Sequence, residues 1–263
     1  MNKLEFIKRI KYSPHIEASL YDLIRQYSVV HLYDVPAEKE YSRFYAELAQ
    51  SIGYFIAKEE DPNTGQVSDD AWTTIKYVPE KANTYKHSNT RQPLHTDYSY
   101  IPFNLDVTFF YCEHQARFGG ATTFLDPQLL VTLLQEFKPE LYQKLTTRDV
   151  HLGRSDDPLI NNTVQVINFD EEGLIINWNY YRVSTDNNQE VLDMAEEFQQ
   201  FLEQMVVGGG LTVPVQLKRG EAVFIRDKRL LHGRNAFLGN RHLCKGAIAI
   251  HNIEETKQAM EGH

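Results

Sequence analysis

A histidine and an aspartate stand two residues apart in the segment Pro93-Leu94-His95-Thr96-Asp97. Side chains two residues apart in an extended chain point to the same side, so His95 and Asp97 can reach one metal ion. Two histidines and one carboxylate on one face of a metal are typical of non-haem Fe(II), which keeps its other positions for a cosubstrate and O2. His-x-Asp alone is a weak signal, because a solvated histidine beside a turn-forming aspartate gives the same pattern.

A partner for this pair is predicted near the other end of the sequence. A strand-like run at 222–225 leads into a turn and then His232, and Arg241 comes nine residues later. A metal held by His232 could chelate a 2-oxo acid, while the guanidinium of Arg241 grips the far carboxylate through two charge-assisted hydrogen bonds. The alternatives are a core or loop histidine and an arginine in a surface ion pair.

A glycine pair precedes two threonines in the run GGATTF at 119–124. Paired glycines allow a sharp bend and a close backbone approach. The hydroxyl of Thr122 could donate to the same carboxylate as Arg241. By itself, Gly-Gly-x-Thr predicts only a turn.

The elements that must position these residues follow from the spacing of apolar side chains. Helical spacing predicts helices over 15–27, 37–52, 127–136, 139–145 and 189–207, the last ended by the glycines at 208–210. Short β-branched or aromatic runs predict strands over 29–32, 73–78, 106–111, 163–169, 174–178, 211–216, 221–225 and 246–251. Strands outnumber helices after residue 70 without regular alternation, which favours a mainly β fold, a barrel or two-sheet sandwich with flanking helices.

Composition narrows the classes of partner and compartment. The net charge is −9 and no basic stripe is visible, so nucleic acid is a poor candidate partner. No apolar run is long enough to span a membrane, and the first twenty residues lack the apolar core of a secretory signal. Cys112 and Cys244 form no CxxC motif, and a reducing, cytoplasmic location is expected.

The order LHTD, then GGATTF, then LHGR and RHL resembles the taurine dioxygenase family, which includes clavaminate-synthase-like and gamma-butyrobetaine-hydroxylase-like enzymes. The resemblance covers roughly residues 70–250. It implies a double-stranded β-helix (jelly-roll, cupin-like) core, Fe(II), and the cosubstrates 2-oxoglutarate and O2. It also implies an active-site lid at 80–92. The sequence shows no internal repeat or low-complexity linker, so we expect a single domain over 1–263, with a helical N-terminal part at 1–70 packed on the barrel.

Residue by residue, the resemblance assigns His95, Asp97 and His232 to the metal, and Thr122 and Arg241 to 2-oxoglutarate. Many members carry a second arginine four residues after the first, where this sequence has Lys245. Halogenating relatives replace the aspartate by glycine or alanine. Asp97 therefore favours hydroxylation, or another two-electron C–H oxidation, over halogenation.

Candidate substrate residues lie around these motifs on polar or loop segments, where binding residues concentrate. The candidates are Asn83, Tyr85, His87, Tyr98, Tyr100, Arg182 and Lys245. If Arg182 and Lys245 both face the pocket, an anionic group is expected on the substrate, as in an amino acid or another small carboxylate. Each candidate could equally be a packing residue or part of a surface ion pair.

Three other functions are compatible with parts of the sequence. Desaturation or ring closure would use the same iron ligands as hydroxylation. A non-catalytic cupin-like metal-binding or sensor protein would not need the cosubstrate residues Thr122 and Arg241. A zinc hydrolase is disfavoured, because the spacing is unlike that of zinc sites and no HExxH motif occurs. Whether the chain forms a homo-oligomer is left open.

Overall fold

The structure is a computed structural model that describes residues 6–56, 59–60, 67–68, 72–102, 105–153 and 161–261. The helices in these ranges are α1 Ile16–Gln26, α2 Tyr41–Ile52, α3 Pro127–Phe137, α4 Pro139–Thr147, α5 Gln189–Phe201 and α6 Ile253–Glu261. The strands are β1 Ile7–Lys11, β2 Val29–Tyr33, β3 Tyr54–Ile56, β4 Glu59–Glu60, β5 Val67–Ser68, β6 Thr73–Lys76, β7 Gln92–His95, β8 Val107–His114, β9 Phe118–Gly119, β10 Thr122–Leu125, β11 Asp149–Leu152, β12 Asn162–Gln165, β13 Ile167–Asp170, β14 Gly173–Ile176, β15 Val213–Val215, β16 Ala222–Arg226, β17 Leu231–Arg234, β18 Phe237–Leu238 and β19 His242–Ala249.

Two sheets form the framework. The larger has the order β1-β2-β16-β8-β19-β3, with β6 also paired to β19, and the smaller has the order β15-β10-β17-β7. Every pairing within them is antiparallel except that of β1 with β2. Two sheets of this kind with helices outside them form a jelly roll. The prediction of a mainly β, double-stranded β-helix core is therefore confirmed.

Alternate residues of the larger sheet face two different cores, as the period of two requires. Val223 and Ile225 of β16 pack with Phe124 of the smaller sheet, inside the barrel. Ala222 and Phe224 pack outward with the apolar faces of α1 and α2. Phe124 and Phe224 are at most 1% exposed, and burying a side chain of this size stabilises the fold by about 1.5–3 kcal/mol.

A third core surrounds Trp178, which is fully buried among α3, α4, α5 and the strands β11 and β14. Helix α3 begins at a proline, and the preceding Asp126 accepts hydrogen bonds from the amides of Gln128 and Leu129, which satisfies backbone donors that the helix leaves free. This core adjoins the His95 segment, because the amide and hydroxyl of Thr96 both donate to the Trp178 carbonyl.

Most predicted elements are observed, and one prediction is wrong. The run 163–169, predicted as one strand, is divided between β12 and β13, because β12 pairs with β11 while β13 pairs with β14. The helix predicted over 189–207 ends as α-helix at Phe201 and continues as a π-helical turn, Leu202–Val207. The glycine stop is observed, since Gly210 has a φ of +68°.

The N-terminal part contains α1 and α2 as expected and also contributes β1, β2 and β3 to the larger sheet. In the described ranges, no helix combines the length and the apolarity that crossing a bilayer would require.

Candidate metal and cosubstrate site

The sheet register brings the predicted metal ligands together. His95 ends β7, and His232 on β17 is its direct cross-strand partner. Asp97 follows two residues after β7, with Oδ1 3.6 Å from His95 Nε2 and Oδ2 3.5 Å from His232 Nε2. The potential ligand atoms of the three residues all lie within 4.8 Å of one another.

Both histidine rings turn Nε2 toward Asp97. His95 Nδ1 lies 2.8 Å from the Pro93 carbonyl, which can only accept, so Nδ1 carries the proton. His232 Nδ1 faces the carboxylate of Asp227 at 4.0 Å. Orientation of ligand histidines through the other ring nitrogen is usual at metal sites. Two imidazole nitrogens and one carboxylate fit Fe(II).

Asp97 is held ionised by its neighbours. Burial alone would raise the pKa of this carboxyl, but the ammonium of Lys245 and the two histidines hold the pKa well below its usual range. Lys245 Nζ lies 3.0 Å from Asp97 Oδ2 and 4.5 Å from the centre of the Tyr98 ring. Burial opposes the charge on Lys245, yet Asp97 raises the pKa of its ammonium. A ligand carboxylate and a buried cation therefore lie side by side.

Asp227 fixes the backbone of the ligand segment. It follows β16 directly, has no exposed surface, and accepts hydrogen bonds from the amides of Asp97 at 2.9 Å and Tyr98 at 3.0 Å. Burial, followed by the charge of Asp97, raises the pKa of Asp227. The sequence analysis did not identify this residue, although an acid directly after a strand and five residues before His232 was a usable signal.

Thr122 and Arg241 both line one narrow cleft. Thr122 lies on β10, the strand next to β17. Arg241 is only 4% exposed; its Nε donates to the Gly120 carbonyl at 3.0 Å, and its Nη1 has no hydrogen-bond partner among the described residues. Burial, and then the nearby Arg234, lowers the pKa of Arg241 to about 9. A buried guanidinium with an unsatisfied donor is suited to an anionic ligand.

The two glycines of the GGATTF run allow this close packing. Gly119 and Gly120 have φ values of +69° and +76°, which side chains rarely adopt. A Cβ at Gly120 would lie 2.9 Å from Cδ of Arg241. The glycines of this turn therefore leave room for the Arg241 side chain beside the backbone.

The sequence matches the profile of the taurine catabolism dioxygenase TauD, TfdA family over residues 8–246. The chain belongs to this family. Among curated proteins, it is 27% identical over 166 residues to a mitochondrial trimethyllysine dioxygenase of Gallus gallus. That match covers 57% of this chain and 38% of the relative, so the chain spans less than half the length of that protein.

Solved structures show the same TauD-type fold. An asparagine oxygenase complexed with Fe(II), 2S,3S-3-hydroxyasparagine and succinate has a TM-score of 0.69 at 11% identity, covering 89% of this chain and 80% of that one. The non-haem iron oxygenase OrfP, in complex with (3S)-hydroxy-L-Arg, scores 0.66 at 13% identity, covering 94% and 83%. A putative alpha-ketoglutarate-dependent taurine dioxygenase from Burkholderia xenovorans scores 0.63 at 13% identity, covering 92% and 86%.

The candidate substrate residues fall into two groups in this TauD-family structure. Tyr98 and Lys245 lie at the metal ligands, as described above. Tyr100 forms a second contact, with the guanidinium carbon of Arg182 4.0 Å from its ring centre. Lys245 and Tyr98 therefore bring one cation and one aromatic ring to Asp97, and Arg182 with Tyr100 forms a second cation–aromatic pair.

The other three candidates lie on residues 79–91, here called the cap segment, which precedes β7. The Tyr85 hydroxyl donates to the hydroxyl of Tyr181. His87 is buried, and its Nδ1 lies 3.3 Å from the Lys76 carbonyl. Asn83 is exposed. The cap segment therefore includes one residue that bridges to another loop, one buried in the fold and one at the surface.

Gln92 is a further residue at the metal ligands that sequence reasoning missed. A β-bulge between β7 and β17 places Gln92 opposite Arg234, while His95 is opposite His232. Bulges commonly redirect a side chain next to an active site. Gln92 Nε2 lies 3.1 Å from His95 Nε2, which must accept this bond because Nδ1 carries the proton. No local sequence signal indicates a bulge here.

Proposed function

We propose that the protein is an Fe(II)- and 2-oxoglutarate-dependent dioxygenase that hydroxylates an unactivated C–H bond of a small, carboxylate-bearing metabolite, such as an amino acid. One observation carries the proposal: a buried guanidinium with an unsatisfied donor, Arg241, shares a barrel with the His95–Asp97–His232 cluster. A protein that only stored a metal would have no use for that second site.

The chain's own residues have separable parts in this reaction. His95, Asp97 and His232 would hold the iron, and Arg241 with Thr122 would orient 2-oxoglutarate by its distal carboxylate. Iron with its cosubstrate supplies the oxidising power for attack on a C–H bond. The barrel and the cap segment would exclude water and fix the substrate, and no side chain needs to act as a general base.

The charges near Asp97 support an anionic substrate. Lys245 has 14% of its side chain exposed, and its ammonium lies over the Tyr98 ring. Arg182, a second cation, stacks on Tyr100. A carboxylate between the two would be paired in a partly dry site, where charge-assisted bonds are strong. An asparagine oxygenase, and the oxygenase OrfP solved with (3S)-hydroxy-L-Arg, agree with an amino-acid substrate.

Anaerobic reconstitution with Fe(II) and 2-oxoglutarate tests the cofactor assignment. A weak visible charge-transfer band is expected, and it should be lost in Asp97→Ala but kept in His15→Ala, which alters an exposed histidine. Absence of the band in wild-type protein with bound metal would overturn the proposal. Succinate formation across amino acids, sulfonates and cationic amines then tests the substrate class, and turnover confined to cationic compounds would exclude a carboxylate-bearing substrate.

Desaturation or ring closure is the second candidate outcome, because it would use the same iron ligands. Product mass separates the outcomes, since hydroxylation adds one oxygen and desaturation removes two hydrogens. We further propose that the chain acts as one cytoplasmic domain, with the cap segment as its lid. The two cysteines, Cys112 and Cys244, are both buried thiols, which suits a reducing compartment.

A further inference from the structure

Arg234 is a buried arginine on the strand that carries His232. It is 3% exposed and lies two residues after His232, so both side chains leave β17 on the same side. A buried guanidinium is costly unless its donors are satisfied. In the described part of the chain, carbonyl oxygens accept hydrogen bonds from both of its Nη atoms, where a carboxylate usually would, while its Nε has no hydrogen-bond partner.

All of these carbonyls belong to the cap segment. Arg234 Nη1 donates to the carbonyl of Tyr85 at 3.1 Å, and Nη2 donates to the carbonyls of Ser88 at 2.8 Å and Thr90 at 2.7 Å. The neighbouring Phe237 donates its amide to the Asn89 carbonyl at 3.0 Å. One arginine and one backbone amide thus bind four carbonyls within six consecutive residues.

The ring of Phe237 also supports both buried arginines of this region. Its centre lies 5.3 Å from the guanidinium carbon of Arg234 and 5.5 Å from that of Arg241. Between Arg234 and Phe237, the Asn235 amide donates to the Ala121 carbonyl, and the Ala236 carbonyl accepts from the amide of Gly120 in the glycine turn. Residues 234–237 therefore contact the cap segment on one side and the proposed 2-oxoglutarate cradle on the other.

Two other contacts of the cap segment are less buried. The Tyr85–Tyr181 hydrogen bond involves a tyrosine that is 40% exposed. Arg91 forms an ion pair with Glu203 in which both side chains retain solvent contact. Exposed pairs of this kind contribute little to stability. The segment is also joined to residues 76–78, through His87 Nδ1 at 3.3 Å from the Lys76 carbonyl and through the Val78 amide, which donates to the His87 carbonyl. The bonds from Arg234 are the side-chain bonds that join the segment to β17.

We propose that Arg234 is a positioning residue that ties the cap segment to the metal-bearing strand β17. The fork of its guanidinium holds three carbonyls at once, so residues 85–90 keep a fixed place relative to His232. The consequence for substrate binding rests on the proposed function, because it assumes that the segment is the pocket wall. The attachment itself does not depend on turnover.

Hydrogen–deuterium exchange of the full chain, with and without Fe(II) and 2-oxoglutarate under anaerobic conditions, tests the attachment. In Arg234→Gln, amide exchange in peptides covering 79–91 should rise by about tenfold or more, while peptides from β8 exchange as in wild type. Arg234→Lys keeps the charge but not the planar fork, and an intermediate increase is expected. Arg226→Gln is the matched control, because Arg226 pairs with Glu172 and contacts no cap residue in the described structure.

Two results would overturn the proposal. One is unchanged exchange of 79–91 in a folded Arg234→Gln protein. The other is an equal rise in the cap peptides and in β8, which would make Arg234 a general stabilising residue. If Arg234→Gln does not fold, Arg234→Lys is judged by the same two criteria. The visible band recorded on the same samples reports the proposed function separately, so failure of one conclusion leaves the other measurable.

Discussion

The candidate metal ligands with Thr122, here called the metal side, and the cap segment, here called the cap side, are held in place by different kinds of contact. His95, His232 and Thr122 lie on neighbouring strands of one sheet, whose hydrogen bonds fix the distances between them. The cap segment contains two short 3-10 turns, Pro79–Lys81 and Tyr85–His87, and is attached through side chains and a few backbone hydrogen bonds. The residues proposed to bind metal and cosubstrate, His95, His232 and Thr122, therefore lie on paired strands, which hold them at fixed distances.

The comparison also separates what can vary. Strand pairing fixes the positions of the metal-binding residues whatever the substrate is. The cap segment is held by a few contacts, so its shape or sequence can change without moving those residues. Opening of such a segment costs less free energy than opening of core strands. We therefore expect substitutions on the metal side to abolish the reaction, and substitutions on the cap side to alter substrate affinity.

The largest effect is expected from the metal ligands themselves. Asp97→Ala or His232→Ala should lower Fe(II)-dependent succinate formation by about 100-fold or more, since removing mere supporting partners of ligands already costs about 10–100-fold. Succinate release per enzyme measures this, with the exposed His15→Ala as control. Near-normal activity in Asp97→Ala would show that the cluster is not the reaction centre.

Arg241→Met should come next. Hydrogen bonds to a charged group contribute about 1.5–3 kcal/mol, so the Kd for 2-oxoglutarate is expected to rise by roughly 10- to 150-fold. Titration of the visible band with 2-oxoglutarate gives this value, and metal binding should be unchanged. Arg226→Met, remote from Arg241, is the control. An unaltered Kd in Arg241→Met would show that Arg241 does not bind 2-oxoglutarate.

Asp227→Asn should weaken the metal site without removing a ligand. The side chain keeps one acceptor oxygen, so only one of the amides of Asp97 and Tyr98 retains its bond, and the charge that faces His232 is lost. Fe(II) affinity should therefore fall by about 10-fold, the lower end for such partners. Competition with a chelator measures the affinity. An unchanged affinity would show that Asp227 does not support the metal site.

The smallest effect is expected on the cap side. Tyr85→Phe removes a part-exposed hydrogen bond of about 0.5–1.5 kcal/mol, so exchange in the cap peptides should rise by less than about 13-fold and 2-oxoglutarate binding should not change. Tyr181→Phe is the matched variant. The double variant should add nothing, because both changes delete one bond; additive effects would show that the two hydroxyls act independently.

The sequence predictions for the metal and cosubstrate residues all rest on local patterns. The His-x-Asp spacing, the glycine pair before Thr122 and the strand before His232 each reflect a rule that operates within a few residues. The helices α1 to α5 were likewise predicted from apolar spacing. The division of 163–169 into β12 and β13 was missed, since only the identity of the pairing strands distinguishes one strand from two.

The sequence by itself determined which residue types could bind iron and an anionic cosubstrate, and which runs would be strands or helices. Only the tertiary structure decided that His232 lies opposite His95, that a bulge turns Gln92 toward the metal ligands, and that Asp227 holds the backbone of Asp97. It also decided that Arg234 faces the cap carbonyls. The physical reason is that register, bulges and buried polar pairs join residues distant in the chain, and their partners are fixed only when the sheets close.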